Sequence, residues 1–126
     1  MSKNFAWLVI GLMLTTLLFT ACSSPSSAAS GFPTGKFVLP DDASQGVNFN
    51  KDGTWSGFLG DMTVAEGTYQ VKGDLYTEEA GPKACPTPAT YKFSFDGTNL
   101  KFDLVGEDDC QNRRESFDGV TYVLSN

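Results

Sequence analysis

From Phe32 onward the chain is cut into short runs by Gly, Asp and Pro signals about every 10 residues, and within those runs apolar and polar side chains alternate. A period of two sends successive side chains to opposite faces of a strand, and no stretch carries a helical stripe of useful length. The pattern predicts an all-β domain with strands near 35–39, 46–50, 54–59, 67–72, 74–79, 90–95, 99–105 and 120–124. In the sixth, Tyr91, Phe93 and Phe95 share one face against Lys92, Ser94 and Asp96; in the seventh, Leu100, Phe102 and Leu104 oppose Lys101 and Asp103. One face is expected to be buried and the other wet. The same parity puts Val47 with Phe49, Trp55 with Gly57, Tyr69 with Val71, and Val120 with Tyr122 and Leu124 on the inner face.

The connections sort into two classes. Segments 50–53, 72–73 and 96–98 are tight hairpin signals and fall at one end of an eight-stranded meander. Segments 40–45, 60–66, 80–89 and 106–119 are longer and fall at the other end, which brings Cys85 and Cys110 to the same end. An open sheet of short strands would expose its edges and one apolar face, and closure removes both problems. The expected fold is a single eight-stranded antiparallel up-and-down β-barrel over 32–126.

Two motifs carry a family resemblance. Phe32-Pro33-Thr34-Gly35-Lys36-Phe37 is similar to the Gly-x-Trp opening of lipocalins, with Phe37 in the place of the Trp. Asp108-Asp109-Cys110-Gln111-Asn112-Arg113 looks like the Asp-x-Cys-x-x-Arg turn of small bacterial lipocalin-like lipoproteins. On these residues the domain resembles the lipocalin-like, or calycin, superfamily, which implies tight turns at one end and long loops around a mouth at the other. It departs from that family in being shorter and in lacking the helix that follows the barrel. The basic residue that covers the Trp at the closed end of lipocalins has no counterpart either, because Arg113 and Arg114 fall at the mouth.

Ahead of the domain stand Lys3, an apolar run from Phe5 to Phe19, and Thr20-Ala21-Cys22. A short positive region, roughly 15 apolar residues and small residues at the end match a secretory signal, while a spanning helix needs about 20. The segment Leu18-Phe19-Thr20-Ala21-Cys22 resembles the lipobox of bacterial lipoproteins, with Phe19 where Leu or Val is usual. The resemblance implies that residues 1–21 are removed and that Cys22 is lipidated. Acyl chains, at about 0.8 kcal/mol per buried methylene, would then hold the protein on the membrane. Residues 22–31 form a Ser-rich tether without large apolar side chains, and the expected address is the bacterial cell envelope, extracytoplasmic and lipid-anchored. With Cys22 lipidated in an oxidising setting, Cys85 and Cys110 are expected to form a disulfide, which would stabilise by about 3 kcal/mol; two unpaired thiols are the alternative.

Composition narrows the chemistry. The chain has no histidine, which removes the usual general base, zinc ligand and triad member, and no phosphate-binding Gly motif. No catalytic residue, no cofactor and no enzyme activity are expected. Nine basic against 15 acidic side chains, a net charge of −6, argue against nucleic acid. Glu107, Asp108 and Asp109, with Asp41, Asp42, Asp61, Glu78 and Glu79 on the same end, would offer a hard cation its oxygens. Their spacing fits no EF-hand loop, so a solvated rim and no metal site are expected, with Arg113 and Arg114 neutralising it. A sharper role for Arg113 is to hold an anionic ligand headgroup at the mouth.

The inner-face residues Trp55, Tyr69, Tyr91, Phe93, Phe95, Phe102 and Tyr122 would either line a pocket for an apolar ligand or simply fill the barrel. The bulk of Tyr69, Tyr91, Phe93, Phe95, Leu100, Phe102 and Leu104 weighs towards filling. The expected role is nonetheless non-enzymatic binding, by a monomer, of a small apolar or amphipathic ligand at the open end. The rival is a filled barrel that binds a protein through its disulfide-pinned loops, as a protease inhibitor or an envelope assembly factor. Those loops hold Met62, Phe117 and prolines but no Trp or Tyr, which disfavours a protein hot spot.

Overall fold

A computed structural model describes residues 31–126, which form a closed barrel of eight antiparallel strands in chain order. The leader, Cys22 and nearly all of the tether lie outside the described residues. The strands are β1 (Gly35–Leu39), β2 (Asp42–Phe49), β3 (Thr54–Leu59), β4 (Met62–Lys72), β5 (Leu75–Glu78), β6 (Ala89–Phe95), β7 (Asn99–Val105) and β8 (Thr121–Leu124), with a helix, α1 (Gln111–Phe117), between β7 and β8. Closure runs through β1 and β8, where Phe37 faces Leu124 and Val38 faces Val123.

The hairpins at the closed end are the tight turns expected. Gly53, Gly73 and Gly97 have φ of 83°, 58° and 99°, a region that costs a side chain energy. The Asp96 carboxylate accepts the backbone N–H groups of Thr98 and Asn99 at 2.9 and 2.7 Å, and the Tyr69 hydroxyl donates to the Asn50 carbonyl at 2.7 Å.

At the other end two expected long loops are absent. β2 begins at Asp42 and β4 at Met62, so only Pro40-Asp41 and Gly60-Asp61 connect β1 to β2 and β3 to β4. Residues 43–45 and 62–64 are exposed, and a strand segment with both faces wet has no alternation to read. Their backbones pair all the same, Leu39 with Asp42 and Leu59 with Met62. A bulge between Val38 and Leu39 brings the β1 backbone close to β2, and a Cβ at Gly46 would lie 1.9 Å from the Phe37 carbonyl oxygen.

The mouth is therefore framed by two long connections, 79–88 and 106–120, which are joined by the Cys85–Cys110 disulfide. The second contains α1, a helix that the sequence pattern did not predict. Only Arg113 and Phe117, four residues apart, are buried on it, too few to write a stripe. An isolated helix this short is unstable in water, and the docking of Phe117 against Phe102 and Tyr76 holds it.

The closed half of the barrel is packed with rings. Phe32 enters from the segment before β1, edge-on to Phe49 and Phe93 at 5.2 and 4.9 Å and stacked on Tyr76 at 5.5 Å. Phe102 lies between Tyr76 and Phe117, at 5.3 and 5.0 Å, in the edge-to-face geometry that aromatic quadrupoles favour. Phe37, Val47, Phe49, Trp55, Tyr69, Tyr91, Phe93, Leu100, Phe102 and Tyr122 are buried as parity requires, and Val71, Phe95, Leu104, Val120 and Leu124 are half-buried.

Candidate functional site

The aromatic filling stops partway along the barrel. Towards the mouth the wall built by Leu39, Val47, Trp55 and Ala65 stands apart from Phe117, Val120 and Tyr122, and Gly57 contributes no side chain to the space between. Ala84 and the Cys85–Cys110 bridge lie over it. The result is an open cavity of about 790 Å³, so the expectation of a filled interior holds for the closed half alone. The bulk on the inner face fills the barrel where Phe32, Phe49, Tyr69, Tyr76, Phe93 and Phe102 gather, and leaves the β2–β4 side of the mouth open.

Of the residues predicted to bind ligand, Trp55, Tyr122 and Arg113 border this cavity. Tyr69, Tyr91, Phe93 and Phe102 are buried in the packed core instead, and Phe95 lies against Phe37 at 6.0 Å, away from the cavity. The Trp55 Nε1 is buried without a hydrogen-bond partner, close enough to Gly67 that a Cβ there would come within 3.1 Å of it. The Tyr122 hydroxyl donates to the Ser116 carbonyl at 2.7 Å, tying β8 to α1. Burial pushes its pKa up to about 12, so it is a neutral donor throughout the physiological range.

Below the loops, where the acidic pattern predicts a solvated rim, runs a buried charged network. Glu78 and Asp108, assigned to an acidic rim, are 1% and 4% exposed, and Arg113 is 4% exposed. By contrast Asp41, Asp61, Glu107 and Asp109 are exposed as expected, while Asp42 and Glu79 are half-buried. No cluster of three metal-ligating side chains forms among the described residues.

Arg113 Nε and Nη2 donate to the two Asp108 oxygens at 2.8 and 2.6 Å, a fork that matches the carboxylate, and Nη1 donates to the Thr87 carbonyl at 2.7 Å. The Tyr91 hydroxyl and the Cys110 backbone N–H also donate to Asp108, and Arg114 Nη1 donates to its carbonyl at 2.8 Å. The cluster thus bolts both long connections to α1 and to the barrel. An anionic headgroup would have to displace these bonds to reach Arg113.

Glu78 is served less well. Its Oε1 lies 3.6 Å from Arg113 Nη1, and its Oε2 accepts from the Tyr76 hydroxyl at a long 3.4 Å. Burial drives its pKa from 4.5 up to about 7, with Arg113 opposing the rise. Burial acts on Asp108 in the same direction, but the hydrogen bonds from Arg113 and Tyr91 outweigh it and hold that carboxyl at about 2.

The residues missed from the sequence were Glu78, Asp108 as a buried group, and Phe117. Glu78 had a readable signal, because Tyr76 and Glu78 share a face of β5 and a buried Tyr76 forces Glu78 inward.

The two shifts set opposite pH limits. A carboxyl whose folded pKa is raised contributes fully below its unfolded value and loses that contribution as pH rises to about 7, here a loss of about 3 kcal/mol. Asp108 contributes above its unfolded value and loses its share as pH falls through about 2. Stability is expected to be greatest near pH 4–5 and the melting temperature to drop by about 10–20 °C between pH 4.5 and 7.5. Glu78→Gln should flatten that drop when thermal unfolding is followed by circular dichroism; an unchanged drop in the variant would remove Glu78 as its cause.

Compared with protein-family models, curated proteins and solved structures, the chain gives no match.

Proposed function

We propose that this chain is a bacterial lipoprotein, anchored outside the cytoplasm through Cys22, whose lipocalin-like barrel binds a small apolar or amphipathic molecule without catalysing a reaction. The observation that carries this reading is the cavity. Its volume of about 790 Å³ falls within the range of small-molecule sites, and its lining joins apolar walls to the buried Glu78–Arg113 cluster and to a polar rim of Gln45, Lys83, Asn112, Glu115 and Ser116. The Cys85–Cys110 bridge and the Arg113 fork hold the loops over it, so the site is largely formed before ligand arrives.

The test is a titration of the purified chain with 1-octanol, followed by nuclear magnetic resonance at the Trp55 indole and the Gly57 amide. Saturable shifts at both are expected. Gly57→Leu should abolish them while the fold persists, because the nearest atoms to a new Cβ are 3.8 Å away and the side chain would extend into the cavity. Octanol that leaves Trp55 and Gly57 unmoved would overturn the reading. For the anchor, Cys22→Ala is expected to release the protein from carbonate-washed membranes.

The rival, a protein-binding module, has in its favour the exposed Leu59, Met62 and Val64 on the β3–β4 hairpin. Among the described residues that patch holds no exposed aromatic or Arg anchor, on which interface energy usually centres.

A further inference from the structure

We propose that the cavity selects amphipathic amines, with the ammonium group seated on Glu78 and the apolar body against Val47, Trp55 and Phe117. This rests on the cavity being a ligand site and names the chemistry of that ligand.

Three observations converge on Glu78. It borders the cavity and is 1% exposed, yet both contacts to its carboxylate are long, 3.4 Å from the Tyr76 hydroxyl and 3.6 Å from Arg113. A buried carboxylate has about four lone-pair sites and is costly to leave underserved. Arg113 cannot make up the deficit, since its short bonds go to Asp108 and the Thr87 carbonyl.

The charge count points the same way. The groups acting on Glu78 are Arg113 from α1, Asp108 from the β7–α1 connection, Tyr76 beside it on β5, Tyr91 on β6 and Tyr122 on β8. Burial raises the pKa of all three tyrosines, so they are neutral. One arginine against two carboxylates leaves a single negative charge, which a monocation neutralises and an anion aggravates. At the cavity edge Lys83 is engaged by Glu66 at 2.8 Å, and the chain as a whole carries a net charge of −6, which draws cations towards it.

The pH dependence is distinctive. An alkylamine stays protonated between pH 5.5 and 8, whereas Glu78 takes up a proton across that interval, so amine binding should weaken as pH falls and alcohol binding should not.

The experiment titrates the full chain with octylamine, 1-octanol and octanoate at pH 8 and pH 5.5, reading the Trp55 indole and Gly57 amide resonances. The expected result is that octylamine binds at least tenfold more tightly than octanol at pH 8, that this advantage shrinks at pH 5.5, and that octanoate binds most weakly. Glu78→Gln should bring octylamine down to the level of octanol, while Glu78→Asp, which keeps the charge, should retain part of the preference. Equal affinities for octylamine and octanol, or a preference for octanoate, would overturn the amine assignment and leave the cavity reading standing. Shifts from none of the three would overturn both.

Discussion

Arg113→Met is expected to destabilise the domain by about 3–5 kcal/mol and to lower its melting temperature by about 15–25 °C at pH 7. The size follows from what is left behind. Without the guanidinium, Asp108 keeps its bonds from Tyr91 and Cys110 but loses the fork that neutralises it, and Glu78 loses the cation 3.6 Å from it. Glu78, no longer held down by Arg113, takes up a proton, but Asp108 stays enclosed and charged, and an uncompensated buried charge costs far more than the pair contributes. The Thr87 carbonyl also loses its donor, so the 79–88 connection is loosened at the point where it crosses α1. Lysine is no substitute, because a single ammonium cannot match both Asp108 oxygens and Thr87 together. Adding Asp108→Asn to Arg113→Met should recover part of the loss by removing the stranded charge. Arg114→Met supplies the comparison: its side chain is exposed and gives up one bond to the Asp108 carbonyl, so less than about 1 kcal/mol is expected. Urea unfolding of the four proteins decides the matter, and an Arg113→Met domain within about 1 kcal/mol of the parent would mean that the network does not hold the loops.

How far the sequence revealed this arrangement depended on whether a buried face imposed a rhythm. β6 and β7 were legible because Tyr91, Phe93, Leu100 and Phe102 are buried and Lys92, Lys101 and Asp103 are wet. The starts of β2 and β4 were not, because neither face is buried there and backbone pairing leaves no trace in side-chain type. The disulfide was legible from the direction of the strands, which brings both cysteines to the mouth whether the neighbouring connections are loops or two-residue turns. Asp108 stood out only as the Asp of the Asp-x-Cys-x-x-Arg resemblance: by residue type Glu107, Asp108 and Asp109 look alike, and it is the bonds from Arg113, Tyr91 and the Cys110 amide that separate the buried one from its exposed neighbours. The cavity was opaque for a related reason. Parity says which residues point inward but not how far along the axis each one lies, and the small Gly57 and Ala65 fall together near the mouth while Phe32, Phe49, Tyr69 and Phe93 gather at the closed end.

That segregation predicts that the two halves of the barrel respond differently to loss of bulk. Phe32→Ala is expected to cost about 3–5 kcal/mol, as truncation of a buried ring usually does. Phe32 is 6% exposed and touches Phe49, Tyr69, Tyr76 and Phe93, so its removal opens a void that these rigid rings fill poorly. Because it lies before β1, no sheet pairing compensates, and the chain entry at the closed end should come loose with it. Phe32→Leu, which keeps an apolar body of similar reach, should cost less than about half as much. The ring has no place in the lining of the cavity, so the folded fraction of Phe32→Ala should still bind octanol with parental affinity. Gly57→Leu is the converse case, keeping the fold and losing the ligand. Urea unfolding and the octanol titration, run on both variants, read the two halves separately. If Phe32→Ala weakened octanol binding as strongly as it weakened the fold, the packed half and the cavity would be one cooperative unit, and the placement of ligand at the mouth alone would have to be abandoned.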